Sequence, residues 1–244
     1  MTSLAYKGFA RSRTRQVTLA AVFAAVYFVL RSIQTFGMIG PLSGRFTAGD
    51  FILTSIALVA GLSSGILSVL IGTIVAYPIN PPTFYALDFL PAITNVSIAG
   101  LILSSRLWVA RAVYLAVLIA FLISPYSLLF GYSYIPYTWL HLVALAILLS
   151  PIVGKVPTWV TRSDSRLIAA VAVLAFVGTM AQHLTGGLLF EATAGFLGGI
   201  NPFVFKRDLW PGIFLVYPPE RLFIVAISTF VATALLRSIR KLAF

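Results

Sequence analysis

The chain has 244 residues, 60% hydrophobic and only 9% charged, with a mean hydropathy of +1.01. Soluble domains run at about 45–50% apolar and about 25% charged, so seventeen Lys/Arg and six Asp/Glu cannot cover a water-facing surface. An ordinary soluble domain is excluded, and the absence of cysteine excludes disulfides, thiolate metal sites and thiol nucleophiles. The +11 net charge and pI of 10.4 do not by themselves point to nucleic acid. In so apolar a chain the basic residues must first be placed relative to a bilayer.

In chain order, a basic tail over 1–15, with Lys7, Arg11, Arg13 and Arg15, leads into an apolar run from Val17 to Leu30. No small-x-small cleavage site follows, so the run reads as a first membrane helix (16–35), not a removable leader. Further segments read over 49–62 and 64–79, two short helices joined through Gly61-Leu-Ser-Ser-Gly65, then 87–105, 109–130, 136–152, 166–189 and 220–238. The stretch 190–219, punctuated by Asn201-Pro202 and Pro218-Pro219, reads as a connection with an interfacial or re-entrant part over 192–200. The expectation is an all-α, polytopic membrane helix bundle of about eight segments in a single membrane domain.

Alternating the segments across a bilayer collects Lys7, Arg11, Arg13, Arg15, Arg106, Arg111, Lys155, Arg162, Arg166, Arg237, Arg240 and Lys241 on one side. Only Arg31, Arg45, Lys206, Arg207 and Arg221 fall on the other, together with every acid except Asp164. The positive-inside bias therefore puts both termini in the cytoplasm of a multi-pass cell-membrane protein. The basic side is either a topology signal alone or also a docking surface for anionic lipid or protein. Tyr77, Tyr85, Tyr126, Tyr132, Tyr134, Tyr137, Tyr217, Trp139 and Trp210 gather toward the outer ends, as an interfacial belt or as the wall of a vestibule.

Gly61-Leu-Ser-Ser-Gly65 fits a nucleophile elbow only in letters, because it joins two apolar helices on the side away from both histidines. Asn95-Val-Ser97 lies inside a membrane segment, and no phosphate-binding loop occurs, so any energy coupling needs a partner. The first helix carries Ala20-x-x-x-Ala24 and Ala21-x-x-x-Ala25, smooth stripes for docking another protein or for internal packing. Intramembrane polar groups are costly and face protein or a cavity. Thr47, Asp50 and Thr54, then Asp88, Pro91 and Asn95, then Thr179, Gln182, His183 and Glu191 cluster at outer helix ends and are the candidate pocket residues. Asp50 and Asp88 also suit helix N-termini as carboxylates satisfying free amides.

Taken in order, these features resemble the substrate-binding S components of energy-coupling factor (ECF) transporters. The alanine repeats, the loop Gly40-Pro-Leu-Ser-Gly-Arg45 to Asp50-Phe, the Gly61/Gly65 hairpin, Asp88-Phe-Leu-Pro91 with Asn95, and His183 to Glu191 before a last helix ending in Arg237–Lys241 carry the resemblance over 16–105 and 166–241. Family members have six helices, so 109–152 reads as an inserted hairpin on a six-helix core. The resemblance implies a non-catalytic subunit, with no cofactor, that captures a small vitamin-like solute. Substrate-binding residues would be Arg45, Asp50, Tyr85, Asp88, Asn95, Gln182, His183 and Glu191. The stripe Ala20, Ala21, Ala24 and Ala25 would dock on a transmembrane T component driven by separate ABC-type ATPases. A structural or assembly subunit of a larger membrane complex is the other reading. The family's metal-binding N-terminal histidine is absent, which argues against a metal-ion solute.

Overall fold

A computed structural model describes residues 12–37, 39–42 and 45–242; Lys7 and Arg11 of the basic tail lie outside the described residues. The first helix, α1 (Arg13–Arg31), is capped by Ser12, whose hydroxyl accepts the Arg15 amide. It stops at Arg31, short of the expected 35, because the chain turns into a small antiparallel hairpin. Strands β1 (Gln34–Gly37) and β2 (Arg45–Thr47) pair Gln34 with Thr47, a departure from the all-α expectation.

A 3-10 turn over Ala48–Ile52 leads into α2 (Leu53–Ala76), which is broken at Gly61 by φ 76° and ψ −173°. That backbone is essentially restricted to glycine. The break reverses the chain. A Cβ on Gly65 would lie 3.8 Å from the Ile56 carbonyl, although nine residues of straight helix rise about 14 Å. The two short helices expected at 49–62 and 64–79 are thus the legs of a hairpin, with the turn confined to Gly61. The legs, about 12 and about 22 Å long, each fall short of about 30 Å of hydrocarbon.

The remaining helices are α3 (Phe89–Leu103), α4 (Leu107–Ile123), α5 (Trp139–Leu149), α6 (Val156–Trp159), α7 (Ser165–Phe190), α8 (Pro202–Val204) and α9 (Trp210–Leu242). The all-α bundle is observed. The expected connection 190–219, however, is largely helical. The helix continues past α7 as a π-helical stretch over Glu191–Leu197, and another over Phe205–Leu209 feeds α9. α9 begins ten residues before the expected 220 and carries Pro218 and Pro219 inside it. Prolines read as punctuation in water are tolerated where neighbouring groups and local adjustments re-satisfy the freed backbone.

α1 lies along the second leg of α2. Ser68 Oγ donates to the Ala20 carbonyl at 3.1 Å, and a Cβ on Gly72 would sit 2.8 Å from the Ala24 carbonyl. This contact divides the alanines: Ala20 and Ala24 are buried against α2, whereas Ala21 and Ala25 face outward. α3 packs antiparallel on the same leg, with Val96 over Gly65 and Leu62 over Gly100. α7 is the hub, touching α3, α4, α5, α6 and α9. α4 and α5 form the expected hairpin, tied by Tyr114 Oη to the His141 carbonyl at 2.9 Å and Arg111 Nε to that of Leu148 at 3.1 Å. They pack on α7 as part of the bundle.

Among the described residues Arg13–Arg31, Ser165–Leu197 and Pro202–Lys241 are helical spans long and apolar enough to cross a membrane, and Ala48–Ala76 reaches that length only when its two legs are counted together across the Gly61 reversal. A fifth is added if Trp139–Leu149 and Pro151–Trp159, bent by 55°, count as one. Large apolar side chains such as Val26, Ile71, Trp108 and Phe230 are exposed around the bundle, a surface suited to lipid rather than water. Gly61→Ala is expected to destabilise the folded protein by about 1–3 kcal/mol through backbone strain alone, since no atom lies within 4 Å of the added methyl. Unfolding in detergent measures this, and a neutral substitution would contradict the hairpin's dependence on Gly61.

Candidate functional site

One end of the bundle, where α1 and α7 finish and α2, α3 and α9 begin, encloses a cavity of about 140 Å³. Its walls carry Tyr27 and Arg31 from α1, Asp50 from the turn before α2, Asp88 at the start of α3, and Gln182, His183 and Phe190 from α7. α9 adds Trp210, Tyr217, Glu220 and Arg221, while Arg45 and Phe46 of the β-hairpin and Thr83 and Phe84 of the next loop form the rim.

A directed hydrogen-bond chain underlies this floor. Asn95 Nδ2 donates to Gln182 Oε1 at 2.8 Å, and Gln182 Nε2 donates to Asp50 Oδ1 at 2.6 Å. Since an amide offers its donor and acceptor on separate atoms, Gln182 joins α3 to the head of α2. Gly178 permits the close approach, because a Cβ there would meet Asn95 Oδ1 at 2.6 Å. Thr185 adds a contact to Thr94 at 3.1 Å one turn away.

Asp88 does not cap its own helix. Its carboxylate accepts the Thr83 amide at 2.9 Å and the Phe84 amide at 3.1 Å, and Arg31 stands 3.9 Å away. It therefore folds the rim loop onto the cavity. Arg221, 2% exposed, lies 3.6 Å from Glu220 and has its guanidinium 4.5 Å from the centre of the Phe46 ring. Three cations (Arg31, Arg45, Arg221) and three acids (Asp50, Asp88, Glu220) line the cavity, so its formal charge is balanced.

His183 Nδ1 meets His141 Nε2 at 2.9 Å, which brings α5 of the hairpin to the cavity wall. The two imidazoles and Tyr217 stack, His183 to Tyr217 at 4.8 Å. Tyr217 Oη donates to the Tyr137 carbonyl at 2.6 Å and Trp210 Nε1 to that of Tyr126 at 2.9 Å. These rings form a packed aromatic cluster with Phe121, Phe190, Phe205 and Phe214, whereas Tyr85, Tyr132 and Tyr134 are exposed. Burial, with Tyr217 adjoining, pushes the Tyr137 phenol well above the ordinary tyrosine range, so it stays neutral. Among the described residues no group of three or more His, Asp or Glu is placed to hold a metal ion.

Of the residues expected from sequence, Arg45, Asp50, Asp88, Gln182 and His183 line one cavity. Asn95 is buried one layer below and reaches it through Gln182. Two lie elsewhere. Tyr85 is 64% exposed: Asp88 holds the amide of Phe84, turning that ring inward, and the chain passes Tyr85 with φ 48°, leaving its side chain outside. Glu191 is buried on the far side of α7, where its Oε1 accepts Ser127 Oγ of the α4–α5 loop at 2.7 Å. Arg221 and Phe84 line the cavity without being singled out by the sequence, and Trp210, expected in an interfacial belt or a vestibule wall, is part of the cavity wall. For Arg221 the usable signal is a Glu220-Arg221 pair at the edge of an apolar run.

Gln182→Leu leaves the Asn95 amide without its acceptor and takes one donor from Asp50, so a loss of about 1–3 kcal/mol is expected, read as a lowered unfolding midpoint; an unchanged midpoint would mean the chain of bonds is not maintained. No protein family, no curated protein and no solved structure matches the chain, so the site is read from its own geometry.

Proposed function

We propose that the chain is a membrane-embedded solute-binding subunit for uptake of a small, vitamin-like micronutrient, of the ECF S-component kind. It works with a separate transmembrane T component and a pair of ABC-type ATPases. The observation that carries this reading is the cavity itself: a lipid-suited bundle gathers six charged residues, Gln182 and His183 around about 140 Å³ of space at one end. Apart from the exposed Arg45 these groups are buried or partly buried, which is costly, and a binding pocket gives them a use. A structural or assembly subunit, the alternative, needs no such cavity, and the open space favours solute capture over it.

In this reading the cavity opens outside the cell. The opposite end, where α1 begins, α9 ends and Arg240 donates to the carbonyls of Arg162 and Val160, faces the cytoplasm with both termini. The α4–α5 hairpin is an addition to a six-helix core formed by α1, the two legs of α2, α3, α7 and α9. We assign no catalytic step and no cofactor to the chain. Docking on the T component falls to Ala21 and Ala25, the outward pair of the stripe, because Ala20 and Ala24 are taken up by α2.

Two sets of substitutions test this. His183→Ala and Asp88→Ala are expected to weaken solute binding to the purified protein by about tenfold or more, the loss of one or two good hydrogen bonds or of the rim loop they hold. Ala21→Trp with Ala25→Trp is expected to leave that binding intact and to abolish uptake and co-purification with the T component and ATPases. Uptake unaffected by the tryptophans would remove the docking role, and binding unaffected by the first pair would remove the site.

A further inference from the structure

Arg221 is the largest fully buried side chain among the described residues. A guanidinium carries five N–H donors, and buried donors are almost always hydrogen-bonded. Here no hydrogen bond from the Arg221 guanidinium is present among the described residues. Its Nε is buried without an acceptor, and its nearest carboxylate oxygen, Glu220 Oε1 at 3.6 Å, is itself without a hydrogen-bond partner. The ring of Phe46 covers one face of the fork, and the residue lines the cavity. The site thus holds a buried, planar donor set with charge compensation nearby but no acceptor.

Size and charge narrow what fits. A cavity of about 150 Å³ accommodates one benzene, so about 140 Å³ corresponds to a single ring. Phe84, Phe190, Trp210 and Tyr217 supply apolar, ring-stacking walls. The largely buried Arg31 and Arg221, with the exposed Arg45 at the rim, are offset by Asp50, Asp88 and Glu220, so a ligand with net charge would find no surplus countercharge in the cavity, which is unfavourable. We propose that the cavity takes a ring-sized planar solute of zero net charge, anchored by an acceptor group on the Arg221 guanidinium. Asp50 and Glu220 then accept from the donor side of the same solute, with Asp50 held in place by Gln182. This rests on the solute-capture reading and specifies its ligand.

The test uses the full chain in detergent and four single-ring probes: benzamide and 3-aminobenzamide with zero net charge, benzoate as anion and benzylammonium as cation. At least one of the first two is expected to bind about tenfold or more tightly than either charged probe, the size of one charge-assisted hydrogen bond. Arg221→Lys keeps the charge and loses the bidentate fork, so it is expected to lower that affinity by a similar factor. The double variant Glu220→Gln/Arg221→Met, which preserves charge balance, does the same and serves where the lysine variant does not fold. Equal or tighter binding of benzoate or benzylammonium overturns the proposal, as does unchanged affinity in a folded Arg221 variant. If no probe binds and the protein purified from its membrane carries a charged or ringless solute, this ligand class falls while solute capture stands. If it neither binds a probe nor carries a solute, both fall.

Discussion

The hydrogen bond from Gln182 to Asp50, with Asn95 behind it, is the interaction on which the rest of the arrangement depends. Asp50 is buried at the head of a hairpin too short to cross a bilayer alone, and a carboxylate in that position is tolerated only with partners. Gln182 supplies one from the central helix, and Asn95 orients the amide so that its nitrogen points at the acid. Because the three residues come from the turn before α2, from α3 and from α7, their bonding fixes the relative height of those elements. The cavity sits directly above that plane, between Asp50 on one side and His183, the neighbour of Gln182, on the other.

Two backbone devices bring the groups together. Gly61 reverses α2, so the chain can deliver Asp50 to the cavity end and return beside α1. Asp88 performs a comparable task without glycine, gathering the amides of Thr83 and Phe84 so that the Phe84 ring is buried in the cavity wall. The aromatic cluster around Trp210 and Tyr217 closes the remaining side and ties it to the α4–α5 hairpin through the stacked histidines. The hairpin thereby helps set the position of His183, even though it contributes no side chain to the main cavity.

Much of this was legible in the sequence. Apolar runs and their punctuation marked the bundle, the Gly61 reversal and the pairing of 109–152, because hydrophobic length is a local property of the chain. Asp50, Asp88, Gln182 and His183 were recognisable as site candidates because polar residues are rare in such helices. What was hidden depended on direction rather than identity. Phe84 and Tyr85 are neighbours, and only the hydrogen bonds of Asp88 decide which ring turns inward. Glu191 follows the cavity residue Phe190 by one position, and the winding of α7 puts it on another face. Pro218-Pro219 signals a boundary under rules drawn from water-soluble helices, and that places the start of α9 ten residues late and leaves Trp210, Ile213 and Tyr217, which line the cavity from that helix, in a connection. Ala20, Ala21, Ala24 and Ala25 formed one stripe on paper. The packing of α2 on α1 separated them into an inner and an outer pair.

The central claim is that the buried charges and amides at this end exist to hold a small molecule. Native mass spectrometry of the protein released gently from its own membrane tests it most directly. The account predicts a population carrying one additional small, non-lipid mass, lost when Gln182 is replaced by leucine and Asp50 loses the amide that positions it. A bare chain from native membranes, under conditions that preserve its fold and bound lipid, would contradict it.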